Sequence, residues 1–262
     1  EFGLDDKEII IWYVLEQGQA QQSAGAIQKR LAGISFWLKL LNRRDITKSF
    51  LVKQIIKGIG RVRRPANGRK PITLLILSRL IALLPHNCYS LYEQVLFRTV
   101  FVFAFFAALR VSEAVSSSKK LPGGLYLEDV QVVKEKLRVL IRRSKTDQLG
   151  KGMIIWLGKS KINSICPVLA FEAFLAVRSS VLGPLFIHAD DTYLTKYQFS
   201  KVLHDCICFI GLSPNEFKTH SFRIGAATQA SILGFSDVSI KKLGRWTSRC
   251  FQHYVRPALV DQ

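Results

Sequence analysis

A run of about eleven apolar residues, Thr99 to Leu109, is the feature that most limits how this chain can fold. A helix that is apolar on most sides must be buried among other elements, so we expect this run at the centre of a helical core. A second run of similar length spans Leu74 to Leu84. Both are shorter than the roughly 20 apolar residues of a membrane span. The helical pattern around the central run extends from Glu93 to about Ser118, with one face formed by Phe97, Val100, Phe101, Ala104, Ala108 and Val111.

The pattern changes after Pro122-Gly123-Gly124 from helical periodicity to short alternating segments. Val130–Val133, the alternating Leu137, Val139 and Ile141, and Met153–Leu157 predict a small antiparallel sheet of three strands. From Cys166 onward the pattern is helical again, with breaks at Gly183-Pro184, Gly211 to Pro214 and Gly234. The predicted fold class is therefore mainly α with a small antiparallel β-sheet (α+β).

Positive charge is concentrated near the start of the chain. The 262 residues carry 38 Lys+Arg against 19 Asp+Glu, a net charge of +19, and 48% of them are hydrophobic. This composition excludes both an ordinary neutral enzyme and a basic disordered tail. Residues 27–70 alone hold thirteen basic residues and one acid, Asp45. We expect a basic helical DNA-binding domain over residues 1–70, with a linker at about 61–70, and a second domain over 71–262.

The basic residues of this first domain fall largely outside an apolar helical face predicted at Ile34, Trp37, Leu38 and Leu41. A solvated surface or a nuclear-localisation patch would also be basic, but a net charge of +19 favours contact with nucleic-acid phosphates. Such contacts supply affinity and fix the register of the protein on the nucleic acid, but they do not provide sequence specificity. The candidate DNA-binding residues are Lys29, Arg30, Arg43, Arg44, Arg61, Arg63, Arg64, Arg69 and Lys70, with Arg142, Arg143 and Lys218 in the second domain.

The cysteines and the start of the chain indicate a reducing, intracellular setting. Five scattered cysteines are too few and too irregular for a disulfide framework, so we expect free thiols. No basic-then-apolar signal peptide opens the sequence. His204-Asp-Cys206-Ile-Cys208 lacks a second ligand pair nearby, and we expect no metal and no cofactor.

Several short motifs occur in a fixed order along the second domain. Together they resemble the signature of the tyrosine recombinase (phage integrase) family, of the Cre-like or eukaryotic mobile-element type. The resemblance covers residues 73–257, and the basic helices before it are similar in kind to the family's core-binding domain. The motifs are Arg110-Val-Ser-Glu113, Arg143-Ser-Lys145, His220-Ser-Phe-Arg223, Leu243-Gly-Arg-Trp246 and, eight residues after that Trp, Tyr254.

The residue types in these motifs suit cleavage of a phosphodiester. Arg110 and Arg223 carry permanent charge, and each guanidinium can pair with phosphate oxygens as the transition state gains negative charge. Tyr254 would be the nucleophile, and His220 could be the base that a phenol of ordinary pKa about 10 requires.

The family resemblance implies roles for three further residues. Lys145 would be the general acid that protonates the leaving 5′ oxygen, although Lys151 lies in the same loop. Trp246 would donate its indole N–H to the phosphate. Glu113 would orient Arg110 or His220 without contacting the phosphate itself.

The resemblance also implies an activity: site-specific recombination of double-stranded DNA through a covalent 3′-phosphotyrosyl intermediate, for integration or excision of a mobile element. The active form would be a homo-tetramer on two DNA sites, in the nucleus of a eukaryote or the nucleoid of a bacterium. Only eight residues follow Tyr254, so either the chain is truncated or its subunits couple differently from the family. The alternatives are a type IB topoisomerase-like nicking-closing enzyme and a non-catalytic DNA-binding protein derived from a recombinase.

Overall fold

The computed structural model describes residues 5–62, 68–144, 147 and 150–260. The chain divides into two compact units, Glu1–Asn67 and Gly68–Gln262, here called the N-terminal and C-terminal units. The sequence pattern assigned residues 68–70 to the linker. In the structure the amide of Lys70 donates to the carbonyl of Glu216 at 2.8 Å, which joins this stretch to the C-terminal unit.

The N-terminal unit packs three helices, α1 (Asp6–Gln19), α2 (Ala24–Leu40) and α3 (Phe50–Val62), with a short 3-10 helix at Ile46–Lys48. The Asp45 carboxylate holds the α2–α3 connection, because it accepts from the hydroxyls of Ser35 and Thr47 at 2.6 Å each. These bonds lower the pKa of Asp45 to about 2. The core of the unit is formed by Ile10, Val14, Ile27, Leu31, Val52 and Ile56.

The apolar face predicted for α2 is only partly correct. Trp37 and Leu41 are 60% and 61% exposed, whereas Ile34 packs against the core. The buried positions of α2 are Ile27, Leu31 and Ser35, which lie in its first two thirds. The last turn of the helix carries apolar side chains that this core does not cover.

The C-terminal unit is built around the apolar run that the sequence singled out. After α4 (Leu74–Ala82) and α5 (Leu84–Asn87), α6 (Leu91–Phe106) is buried from Leu96 to Phe105 except at Arg98, which confirms its central position. Ser90 caps the start of α6 by accepting from the amide of Glu93 at 3.1 Å. The helices packed around α6 contribute aromatic rings, such as Phe222 at 5.3 Å from Phe101 between ring centroids.

The prediction that this helix continues to about Ser118 is wrong. α6 ends at Phe106, Ala108 takes the left-handed conformation with φ of 43°, and a separate short helix, α7, spans Val111–Ala114. Arg110 is therefore the N-cap residue of α7 rather than the last turn of a long helix. An L-residue with positive φ interrupts helical hydrogen bonding, so Arg110 and Glu113 belong to a separate short helix rather than to α6.

The predicted three-stranded sheet is confirmed. β1 (Val130–Val133), β2 (Lys136–Ile141) and β3 (Met153–Leu157) are antiparallel in the order β1-β2-β3. The inward row of Val130, Val139 and Ile155 is buried against the helical core. The β2–β3 connection that carries Lys145 lies partly outside the described residues.

The remaining helices are α8 (Pro167–Val177), α9 (Lys196–Phe209), α10 (Thr219–Ile232) and α11 (Asp237–Gly244). 3-10 turns follow at Arg249–Tyr254 and Pro257–Leu259. The irregular stretch between α8 and α9 is fastened by Arg178, whose guanidinium donates to the carbonyls of Leu185 and Pro184 at 2.9 and 3.0 Å. All five cysteines are free thiols, as predicted. Within the described ranges, no helix is both long and apolar enough to cross a membrane.

Close packing of α10 against the segment before α4 gives a testable prediction. A Cβ on Gly225 would overlap the Ile72 carbonyl oxygen and lie 3.0 Å from the Phe105 ring. We expect Gly225→Ala to lower the free energy of unfolding by about 1–3 kcal/mol, the usual cost of overpacking a core. Urea denaturation measures this change. Gly33→Ala on α2, where a Cβ meets nothing within 4 Å, is the control and should leave stability equal or higher.

Candidate active site

Helix α10 supplies the first two candidate residues, His220 in its first turn and Arg223 one turn later. The start of the helix is fixed because the amide of Ile72 donates to the carbonyl of Ser221 at 3.0 Å. Nε2 of His220 lies 3.2 Å from the hydroxyl of Tyr254, 34 residues away along the chain. The structure therefore brings the candidate base and the candidate nucleophile into hydrogen-bonding distance.

Tyr254 lies at the end of the 3-10 helix Arg249–Tyr254, which is anchored at both ends. Phe251 is 2% exposed in a small core with residues of α10 and α11. The Thr228 hydroxyl donates to the Tyr254 carbonyl at 3.2 Å and accepts from the Arg256 amide at 3.0 Å. These contacts hold the Tyr254 backbone against α10 and place its ring beside His220.

Trp246 packs between the other candidate groups. Its ring centroid is 4.8 Å from that of Tyr254, and the Arg223 guanidinium carbon is 4.4 Å from the Trp246 ring. Gly244 makes this possible, because a Cβ there would overlap the indole. Among the described residues, the buried indole Nε1 has no hydrogen-bond partner.

Arg223 is 0% exposed and is held by two backbone carbonyls. Its Nη1 donates to Ala108 at 2.5 Å, and its Nη2 donates to Gly244. Its buried Nε has no partner among the described atoms. Burial, together with the neighbouring charges of Arg245 and Arg110, lowers the pKa of Arg223 to about 10. The group remains cationic at neutral pH.

Glu113 joins two arginines in the interior. Its Oε1 accepts from Nη1 of Arg110 at 2.6 Å, and its Oε2 accepts from Nη2 of Arg245, also at 2.6 Å. The Arg110 amide donates to Oε2 at 2.9 Å. Burial raises the pKa of Glu113, but Arg245 and the bonds from Arg110 outweigh that effect and leave it below its usual value. Of the two partners predicted for this acid, Arg110 is the one to which it is hydrogen-bonded.

His220 is neutral at physiological pH. Burial is the main cause that lowers its pKa to about 4, and the charges of Arg69, Arg223 and Arg110 act in the same direction. Glu113 opposes the shift weakly. A neutral imidazole can accept a proton from the phenol, which a protonated one cannot.

Arg245 belongs to the same cluster, although the family motif does not single it out. It is 5% exposed, and its guanidinium donates to the carbonyls of Ala107 and Ala108 at 3.0 and 2.9 Å. The only sequence signal for it is an arginine placed between Gly244 and Trp246, where a helix ends.

Lys145 lies outside the described residues. Two residues later in the sequence, Asp147 accepts from the amides of Lys151 and Gly152 at 3.1 and 2.8 Å. A cleft of about 390 Å³ has Asp147, Lys151 and Met153 on one side and Lys241 and Trp246 on the other. The described part of this loop therefore borders the Trp246 side of the site.

The candidate DNA-binding residues of the N-terminal unit are mostly on its surface. Lys29, Arg30, Arg43, Arg44 and Arg61 are exposed, and Arg30 also donates to the side chain of Gln17. Arg63 and Arg64 lie outside the described residues. The sequence analysis did not include Lys53 and Lys57, which are exposed and precede Arg61 on α3 at four-residue spacing. That spacing places the three charges on one face.

In the C-terminal unit the corresponding residues differ in their surroundings. Arg69, Arg143 and Lys218 are exposed, and Lys70 pairs with Glu216 at 3.4 Å. Arg142 pairs with Asp129 at 2.7 Å and Glu128 at 2.8 Å, and its guanidinium lies over the Tyr126 ring. A phosphate would have to compete with two carboxylates for Arg142.

Neither family models nor curated proteins match the sequence. The structure does match solved structures. The Tn1549 transposon integrase in complex with circular intermediate DNA aligns with a TM-score of 0.65 at 11% identity, over 97% of this chain and 82% of that one. A lambda integrase dimer bound to a COC′ core site aligns with a TM-score of 0.52 at 14% identity, over 96% of this chain and 72% of the lambda integrase chain.

The XerH site-specific recombinase bound to palindromic difH substrate aligns with a TM-score of 0.54 at 16% identity, over 71% of this chain. The match spans about half of XerH, 48% of its length. These neighbours are tyrosine recombinases and integrases. The chain has the tyrosine recombinase fold, an α+β architecture.

The pKa of His220 can be tested directly. NMR titration of the imidazole in the free protein should give a value near 4 rather than the ordinary 6.5. Between pH 6.5 and about pH 4, His220 takes up a proton in the unfolded chain but not in the folded protein. This residue therefore lowers the free energy of unfolding as the pH falls through that range. His220→Gln assigns the resonance, and Arg69→Gln should raise the pKa. A value of 6.5 or above would contradict the burial and charge argument.

Proposed function

We propose that this protein is a site-specific DNA recombinase that cleaves and rejoins strands through a covalent 3′-phosphotyrosyl intermediate, for integration or excision of a mobile element. The observation that carries the proposal is the 3.2 Å approach of His220 Nε2 to the Tyr254 hydroxyl beside Arg223 and Arg110. Nucleophile, base and phosphate-binding cations are the groups that metal-free attack on a phosphodiester requires.

The chemical step uses these groups in defined roles. The Tyr254 oxygen forms a bond to phosphorus while its proton passes to His220. The P–O5′ bond breaks, and Lys145 gives a proton to the 5′ oxygen. Rejoining reverses each transfer, and because the phosphotyrosyl bond conserves the energy of the phosphodiester, no ATP is consumed.

Two buried donors support phosphate binding at this point. Arg223 Nε and Trp246 Nε1 have no partner among the described residues, and their side chains lie against each other. Buried N–H groups without an acceptor are uncommon in folded proteins and costly. A non-bridging phosphate oxygen beside Tyr254 would satisfy both, and Arg110 would reach the same phosphate from the Glu113 side.

Binding of DNA would also adjust the base. Burial and the arginine charges hold the pKa of His220 near 4, and an anion bound in the site would oppose the effect of those charges. A bound phosphodiester would therefore raise the pKa of His220 toward that of an effective base at neutral pH. The same arginines lower the energy of the tyrosinate that forms during attack.

We propose double-stranded DNA as the partner, bound by the basic residues of the N-terminal unit, and a homo-tetramer on two DNA sites as the active assembly. The XerH and Tn1549 integrase structures are complexes with DNA, which supports a DNA partner for a chain of this fold. A stripe of Lys53, Lys57 and Arg61 adds phosphate-binding capacity on α3.

Removal of the Tyr254 hydroxyl tests the nucleophile. A nicked duplex selected from a random pool traps the intermediate, because the cleaved fragment is lost and cannot religate. In EDTA without ATP, wild-type protein should give a slow covalent band on a denaturing gel, and Tyr254→Phe should give none while still binding the duplex. Tyr197→Phe, at a residue 75% exposed, should keep the band. Tight binding by the wild type without a band would instead indicate a non-catalytic DNA-binding protein.

A second experiment separates Lys145 from Lys151 as the general acid. Lys145→Ala should slow cleavage of an ordinary phosphodiester by roughly 100-fold or more. On a 5′-bridging phosphorothiolate the variant should approach the wild-type rate, because a thiolate of pKa about 8.5 leaves without a proton. Lys151→Ala is the matched control and should change neither rate much. The reverse pattern would assign the acid to Lys151.

A further inference from the structure

Arg245 adopts a backbone conformation that its residue type disfavours. It is the C-cap of α11, with φ of 56° and ψ of 42°, in the left-handed region. Helices that end this way usually place glycine there, because a Cβ is strained in that conformation. A long cationic side chain at such a position requires a compensating interaction, and a strained residue beside a candidate active site is a reason to look for a function.

Buried hydrogen bonds of the Arg245 side chain supply this compensating interaction. Its guanidinium donates to the carbonyls of Ala107, Ala108 and Leu243 at 3.0, 2.9 and 3.1 Å, and to Glu113 Oε2 at 2.6 Å. Two of these carbonyls belong to the turn between α6 and α7, where Ala108 itself is left-handed. Arg245 thus fastens the end of α11 to the break that orients Arg110.

The acceptors of Arg245 are shared with both candidate phosphate-binding arginines. Glu113 holds Arg110 through its other oxygen at 2.6 Å, and the Ala108 carbonyl also accepts from Arg223 at 2.5 Å. Gly244, the residue before Arg245, supplies the second carbonyl that holds Arg223. A displacement of Arg245 would therefore alter the positions of Arg110 and Arg223 together.

We infer that Arg245 is a positioning residue that sets the spacing of Arg110 and Arg223 for the scissile phosphate. The inference rests on the proposed function, because the spacing matters only where both arginines meet one phosphate. Arg245 is 5% exposed, and its two terminal nitrogens donate to Glu113 and to the Ala107 and Ala108 carbonyls, so it acts on the candidate site through these partners.

Arg245→Lys is the first test, since lysine keeps the charge but lacks the planar fork that reaches several acceptors at once. We expect the rate of covalent-complex formation on the nicked duplex to fall by about 10- to 100-fold, as for other residues that orient a reacting group. The second substrate carries a methylphosphonate at the scissile position, where a methyl group replaces one non-bridging oxygen. This substrate places less negative charge on the arginines, so the difference between variant and wild type should shrink markedly.

Arg178→Lys is the matched control. Arg178 is also a buried arginine, 8% exposed, that fastens a loop through carbonyls, but its partners lie between α8 and α9. This variant should lose a similar amount of stability and keep the wild-type rate on both substrates. Equal slowing of Arg178→Lys would mean that loss of stability alone explains the effect, and would overturn the inference.

A second pair of variants separates stability from rate. Arg245→Gly should resist urea better than Arg245→Ala, because glycine adopts the left-handed conformation freely, yet both should form the covalent complex slowly. Rates that follow the order of stability, or an Arg245→Lys rate equal to wild type, would overturn the inference alone. Failure of the wild type to form any covalent complex would overturn the proposed function and the inference with it.

Discussion

The Glu113 carboxylate is the interaction on which the candidate site depends. Arg110, Arg223 and Arg245 converge in the C-terminal unit, two of them 5% exposed or less, and like charges at low dielectric repel strongly. The Glu113 carboxylate binds Arg110 and Arg245, and backbone carbonyls accept hydrogen bonds from Arg223. These contacts reduce the repulsion among the three arginines. The cluster keeps a positive excess, which is the property needed to bind a phosphate without a metal ion.

Backbone geometry is the means by which distant segments meet at this carboxylate. Ala108 and Arg245 are both left-handed, and each ends a helix. Their conformations expose the carbonyls of Ala107, Ala108 and Gly244 to arginine side chains instead of to a continuing helix. The strain of two unfavourable backbone conformations is thus offset by charge-assisted hydrogen bonds, and the same bonds fix the arginines.

The sequence predicted the parts of the fold that follow from pattern alone. Burial of α6 and the three-stranded sheet were predictable because apolar periodicity and strand alternation act locally. The end of α6 at Phe106 was not, because Ala108 has no turn-forming side chain and its conformation depends on Arg223 and Arg245, more than 100 residues away. For the same reason the motifs identified Arg223 and Tyr254 but not Arg245, whose importance lies in its contacts.

The candidate site combines a candidate base and a candidate nucleophile with buried N–H donors. Arg223 Nε and Trp246 Nε1 are buried without acceptors among the described residues, and burial together with the nearby arginine charges holds the pKa of His220 near 4. A phosphodiester would supply the acceptors and, by its charge, raise the pKa of the base beside Tyr254. Under the proposed function, binding and activation would then share an electrostatic cause, because the bound phosphate would make His220 a stronger base toward the Tyr254 phenol.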